Sequence, residues 1–193
     1  MLSEKLKNHQ LILASQSPRR QELLKSLDVD FKIKIKEVEE VYASNLKAEE
    51  ITNYLAKLKA AAFENELNEN EIVITSDTIV WHANKPLEKP KDKKEAIKML
   101  QQLSNSSHKV ITSVCLKSKR KEHVFFDVTK VYFKQLSLEE ITYYVENYKP
   151  FDKAGGYGIQ EWIGFIGVTK LEGSYYNVMG FPVHKLYEEL LKF

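Results

Sequence analysis

Cysteine is nearly absent: Cys115 is the only one in 193 residues, so no disulfide can close within the chain and no metal cluster can be built on thiolates. A lone thiol fits a reducing compartment. Excess charge is missing as well. The 29 basic and 27 acidic residues leave a formal charge of +2, and the two signs are interspersed. That excludes the broad basic face that holds nucleic acid by counterion release, so any anion must be bound locally. There is no long apolar run either. Met1 to Gln10 is polar and offers neither a signal peptide nor a membrane span, so a cytoplasmic protein with no membrane partner is expected. The five histidines, His9, His82, His108, His123 and His184, show no metal-ligand spacing. Glycine is missing before position 155, and all seven glycines fall between Gly155 and Gly180. Glycine allows positive φ and close backbone approach, so this window reads either as a loop network around a ligand or as turns between short strands.

What is present alternates between strand and helix signals, with no repeat, low-complexity tract or linker, and fits one domain over residues 1–193. Gln10 to Ala14 and Phe31 to Lys36 read as strands. Between them a helix opens at Pro18 with Ser17 as N-cap and Leu23, Leu24 and Leu27 facing inward. Lys47 to Leu67 places Ile51, Leu55, Leu58 and Ala62 on one helical stripe. Glu71 to Val80 is a buried strand broken at Ser76-Asp77. Asp92 with Glu95, and Ser137 with Glu140, mark two helix starts of the capping-box type. Lys109 to Leu116 and Glu122 to Phe133 form a hairpin around a polar turn, and Pro182 opens a final helix carrying Leu186, Leu190 and Leu191. The pattern predicts an α/β protein with helices on the faces of a mixed sheet.

Two constellations can carry chemistry. Ser15-Gln16-Ser17-Pro18-Arg19-Arg20 lies where a strand gives way to a helix, a junction whose free N–H groups and dipole favour an anion, with guanidinium forks to add charge-assisted hydrogen bonds. The blander reading is a helix cap with solvated arginines, but cations at a helix N-terminus are unfavourable unless an anion compensates. Asp77 interrupts Ile72, Val73, Ile74, Ile79 and Val80, and a carboxylate there is costly unless it is paired, metal-bound or open to a cleft. A surface turn is the alternative. Lys59 sits at the edge of the helical stripe, roughly 70° from its centre at about 100° per residue, where it can reach past the core or simply extend into water.

Five blocks together, Leu11-Ile-Leu-Ala-Ser-Gln-Ser-Pro-Arg-Arg, Ser76-Asp-Thr-Ile-Val, Lys89-Pro-Lys-Asp, Asp152-Lys-Ala-Gly-Gly-Tyr-Gly-Ile-Gln and Glu172-Gly-Ser-Tyr-Tyr-Asn-Val-Met-Gly-Phe-Pro, closely resemble the Maf family of nucleotide pyrophosphatases, in the family's order and from end to end. The resemblance implies an elongated mixed β-sheet flanked by helices, with two lobes around a cleft, similar to inosine triphosphate pyrophosphatases. By position it makes Ser17, Arg19 and Arg20 the phosphate-binding motif, Asp77 the proton acceptor, Glu40 the acidic partner, and Lys59 and Lys89 catalytic cations. Lys153 and Gln160 match a further substrate-binding block. Arg19, Thr78 and Gln160 stand where the dTTP- and UTP-acting subgroup differs from the one acting on 7-methyl-GTP. Glu39, Glu88 and Glu161 depart from the family pattern, and Glu88 and Glu161 add negative charge near an anionic substrate.

The reaction so implied is hydrolysis of dTTP or UTP, or of modified pyrimidine nucleotides, to the monophosphate and pyrophosphate. Asp77 acts as general base, and Glu40 and Asp77 hold a divalent cation, Mg²⁺ or Mn²⁺ with Co²⁺ as a further candidate. A homodimer is the family-based expectation. The competing readings are a non-catalytic nucleotide-binding regulator of cell division, and the same cleavage on CTP or 7-methyl-GTP.

Overall fold

In the computed structural model, which describes all residues Met1–Phe193, short apolar runs become strands and capped amphipathic stretches become helices. In chain order these are α1 (Leu2–Leu6), β1 (Gln10–Leu13), α2 (Pro18–Lys25), β2 (Phe31–Ile33), α3 (Glu49–Ala61), β3 (Glu71–His82), β4 (Lys85–Leu87) and α4 (Lys93–Leu103). There follow β5 (Ser107–Lys117), β6 (Glu122–Phe133), α5 (Leu138–Tyr148), a 3₁₀ turn at Ala154–Gly156, α6 (Trp162–Gly167), β7 (Val168–Glu172), α7 (Tyr175–Val178) and α8 (Val183–Lys192). The strands hydrogen-bond in the order β2-β1-β3-β5-β6-β7, with β4 added on β3. β1 runs parallel to both β2 and β3, whereas β3–β4 and β6–β7 are antiparallel. The sheet is therefore mixed and the protein is α/β.

The chain divides into two compact units. The first holds Met1–Asp77, Thr112–Asp127 and Gly180–Phe193. In it, Ile12 and Val73 on neighbouring strands pack with Phe63 and Leu67, and Cys115 closes against Ala56 and Ala60 of α3. The second holds Thr78–Ile111 and Val128–Met179. Its core joins Leu100 and Leu103 of α4, Val131 and Phe133 of β6, Ile141, Tyr144 and Val145 of α5, and Tyr157, Ile159 and Ile163 from the glycine-dense region.

Local signals placed several boundaries. Ser17 is the N-cap of α2, its hydroxyl accepting from Arg20 N–H with Pro18 behind it. Ser137 and Glu140 complete a reciprocal capping box on α5. Asp92 caps α4 through Glu95 N–H, but the Glu95 carboxylate reaches back to Lys91 N–H at 2.7 Å, one residue beyond the cap.

Other expectations are corrected. β3 runs unbroken through Ser76 and Asp77, because the Asp77 carboxylate finds a cation and the backbone has no need to leave the ladder. β2 stops at Ile33, since β1, with which it pairs, supplies only four residues. The buried face of α3 is Ile51, Thr52, Leu55, Ala56 and Ala60 instead of the stripe through Leu58 and Ala62. The face rotates because Thr52, which an apolar count passes over, bonds the Ser113 hydroxyl at 2.6 Å. Leu191 is exposed on α8. The polar N-terminus forms α1, which buries Leu2 and Leu6 and packs on α8.

Candidate active site

Within the first unit, the turn into α2 and the middle of β3 meet through Arg20. Its Nε donates to Gly180 O at 2.9 Å and its Nη1 to Ser76 O at 2.9 Å, so two of its five donors hold backbone. One clasps the residue before Asp77. Upstream, Ser15 Oγ accepts from Ser17 N–H at 3.2 Å and Gln21 donates to Ser15 O at 3.3 Å, which folds the turn onto the helix start. Burial of the Arg20 head group lowers its pKa, with Asp77 opposing and Arg19 adding to the fall. Arg19 thus lies close enough for its charge to be felt at Arg20.

Asp77 projects toward α3. Lys59 Nζ lies 2.7 Å from Asp77 Oδ1 and 2.9 Å from Glu40 Oε2, bridging the two carboxylates. Two residues earlier on the strand, Thr75 donates to Ala56 O of α3 at 2.6 Å. The strand period of two and the helix spacing of three bring residues 75 and 77 onto residues 56 and 59. Lys59, placed at the edge of a stripe by sequence, borders the true buried face because Ala56 and Ala60 belong to that face; its side chain is only 17% exposed. The Asp77 side chain is 10% exposed. Burial pushes its carboxyl above the ordinary range, while Lys59 and then Arg20 pull it back. The result is a shielded carboxylate of raised basicity beside two cations, the environment of a general base.

No three His, Cys, Asp or Glu side chains gather anywhere as a metal cage. What Glu40 and Asp77 offer is two carboxylates converging on one cationic point, held by the Lys59 ammonium. Such a donor pair suits a hard cation that takes the rest of its shell from phosphate oxygens and water.

The second unit gathers the other candidates. Thr78 lies two residues before Val80 on the same face of β3, and the Val80 side chain packs directly against Gly155: a Cβ there would lie 2.8 Å from it, and φ is +69°. Gly155 N–H donates to Glu88 O at 3.1 Å, tying the loop of Lys153 to that of Lys89, which is exposed. Lys153 is engaged by two carboxylates, Asp152 at 2.7 Å and Glu161 at 3.1 Å. Gln160 is exposed between buried Ile159 and Glu161. The glycine window folds into the 3₁₀ turn, α6, β7, α7 and the turns between them, with the candidate residues Lys153 just before it and Gln160 in its first part.

Sequence reasoning missed the Arg20 clasp on Gly180 and the role of Tyr144, whose hydroxyl donates to Glu161 and accepts from Gly158 N–H at 2.9 Å. A signal for Tyr144 existed, since a tyrosine on a buried helix stripe must find a partner for its hydroxyl. Burial first, then Glu161, raises the Tyr144 phenol far above its usual range, so the proton stays on the tyrosine.

The turn into α2, the Asp77 carboxylate and Lys59 thus place an anion-favouring helix start, a buried base and a cation in one unit. The family follows from comparison: the model for Maf-like proteins matches residues 10–193, and this chain belongs to that family. It is similar to a protein of Flavobacterium johnsoniae named dTTP/UTP pyrophosphatase, 63% identical with 98% of each chain covered. A protein of Flavobacterium psychrophilum with the same name is 57% identical over 99% of this chain and 98% of that one. Among solved structures, the Staphylococcus aureus Ham1 protein is 18% identical over 64% of this chain and 71% of that one, with a TM-score of 0.48. At that distance the likeness bears on no point of chemistry.

Proposed function

We propose that this chain is a nucleoside triphosphate pyrophosphatase that hydrolyses dTTP and UTP to the monophosphate and pyrophosphate. The observation that carries the reaction type is the Lys59-held, buried Asp77 beside the Arg20 clasp. The choice of nucleotide is supported by the names of relatives up to 63% identical along nearly the whole chain. A cytoplasmic setting fits both the substrate and the reduced, buried Cys115. No helix is long and apolar enough to cross a membrane.

In this reading Asp77 orients a water toward the α-phosphorus and takes its proton. The new P–O bond forms as the bond to the β-phosphate oxygen breaks, and pyrophosphate leaves. Lys59 opposes the effect of burial by favouring the ionised form of Asp77, and it tethers Glu40. Arg19 and the N–H groups at the start of α2 bind phosphate oxygens, and Arg20 holds the Asp77-bearing backbone still while adding positive charge beside it. By the family resemblance, Lys89 is assigned as a catalytic cation, Lys153 as a substrate-binding residue, and Thr78 and Gln160 as the residues behind the choice of base. Glu40 and Asp77 would hold Mg²⁺ or Mn²⁺, which supplies neutralisation of phosphate charge.

The test is turnover of dTTP in isotopically labelled water with and without a chelator. Pyrophosphate release, with label in dTMP and dependence on added metal, is expected; orthophosphate as first product would exclude attack at the α-phosphorus. Asp77→Asn should cut turnover by about 10²–10⁴-fold, and near-normal turnover would remove Asp77 from the role.

A further inference from the structure

Glu161 has no place in the reaction described so far, yet its carboxylate is among the most tightly engaged side chains of the second unit. One oxygen accepts from the Tyr144 hydroxyl. The other lies 3.1 Å from Lys153 Nζ. The Tyr144 oxygen in turn accepts from Gly158 N–H at 2.9 Å, and the Tyr144 ring is fully buried and stacked on Tyr148 at 5.1 Å. The backbone of Glu161 is also committed, its carbonyl accepting from Gly164 N–H at 2.8 Å and Phe165 N–H at 3.3 Å as α6 begins. A chain of bonds therefore runs from Gly158 through Tyr144 to Glu161 and on to Lys153. It closes the segment 153–161 on itself and anchors it to α5.

Two features indicate that this closure is specific. A Cβ at position 158 would lie 2.8 Å from the Glu161 carboxyl carbon, so a side chain there would push the carboxylate away from its present hydrogen bonds. Gly158 and Glu161 are thus matched to one another. Gln160, by contrast, is exposed, and it is flanked by two fixed points: Ile159, 6% exposed in the core, and Glu161 in the chain of bonds. With the backbone held at both sides, the point and direction in which the Gln160 side chain leaves the loop are fixed, which limits the positions its amide can reach.

We propose that Glu161 is a positioning residue for nucleotide selection, which acts through Tyr144, Gly158 and Lys153 to hold Gln160 in its presenting conformation; this rests on the reading of Gln160 as a base-contacting group. The negative charge that looks unfavourable beside an anionic substrate is compensated by Lys153 and hydrogen-bonded by a neutral phenol. Its effect on the substrate is exerted through loop geometry.

Glu161→Gly removes the carboxylate, Glu161→Gln keeps an acceptor for the tyrosine hydroxyl, and Tyr144→Phe removes the hydroxyl alone. In nucleotide-free protein, hydrogen exchange of the amides of residues 153–161 should accelerate in Glu161→Gly and Tyr144→Phe by roughly tenfold or more, the loss of a charge-assisted hydrogen bond, and stay near normal in Glu161→Gln. In turnover, Glu161→Gly should raise KM for dTTP by a similar factor, change kcat little, and compress the preference for dTTP over CTP, with Glu161→Gln restoring most of the preference. Unchanged exchange in the glycine and phenylalanine variants, an unchanged dTTP-to-CTP ratio, or equal impairment in the glutamine and glycine variants would each overturn the proposal. Should Glu161→Gly fail to fold, Tyr144→Phe tests the same chain of bonds from its other end. A wild-type protein that turns over no nucleotide defeats the functional reading alone, because the exchange experiment still decides whether Glu161 holds the loop.

Discussion

At Asp77, burial and charge pull in opposite directions. Burial raises its pKa, and Lys59 at 2.7 Å is the largest opposing influence, with Arg20 next. A carboxylate acting as base is active when deprotonated, so activity is lost as pH falls through its pKa, and that acid limb should lie above the ordinary carboxylate value of 3.8. Lys59→Met takes away a charge that lowers the pKa, so the acid limb of kcat/KM should move to higher pH as the rate drops. A limb that stays put, or moves toward lower pH, would mean that another group controls it. Arg20 shows how far a residue's neighbourhood in sequence can differ from its contacts in the fold. Its place in the first turn of α2 was legible, but its two backbone acceptors were not, one of them 160 positions away in sequence.

At the level of elements, the loop from Lys153 to α6 is where close approach matters most. Gly164 lies so near the preceding strand of loop that a Cβ would fall 1.9 Å from Ile159 O, a backbone atom that cannot turn aside. Gly164→Ala should therefore cost about 2–4 kcal/mol in denaturant unfolding. Ser137→Ala, which only removes one arm of the α5 capping box, should cost about 1 kcal/mol. Equal losses in the two variants would show that the loop yields more readily than its packing implies. The same contrast explains what could be foreseen. The caps of α2 and α5 rest on residues within four positions of each other. The face of α3 depended on the Thr52–Ser113 bond, 61 positions apart, and rotated away from the apolar count.

For the molecule as a whole, acid is the revealing condition. His108 is buried in the second unit, its Nε2 bonded to the Tyr157 hydroxyl at 2.7 Å and its ring edge-on to Phe133 and Tyr157. Burial, followed by the nearby His82, pulls its pKa from 6.5 to about 3. The unfolded chain therefore binds a proton that the folded one refuses. Stability is undiminished above about pH 6.5 and falls as pH drops toward 3, by up to about 1.4 kcal/mol per unit from this group. Replacing it by His108→Gln should flatten the loss between pH 6 and pH 4 in thermal or denaturant unfolding, and an unaltered slope would assign the acid sensitivity to other groups. Cys115 adds none at neutral pH, since burial pushes its thiol up to about 12.

The α/β class, most strand and helix positions, the Ser17 and Ser137 caps, and the resemblance to Maf proteins could all be read from the chain, because each depends on a short window or on the order of such windows. Which donors Arg20 offers to backbone, that Lys59 joins Asp77 to Glu40, and that Glu161 meets Tyr144 were settled only in three dimensions. Those pairings depend on strand direction and helix rotation, and both are set by the packing of residues far apart in the chain.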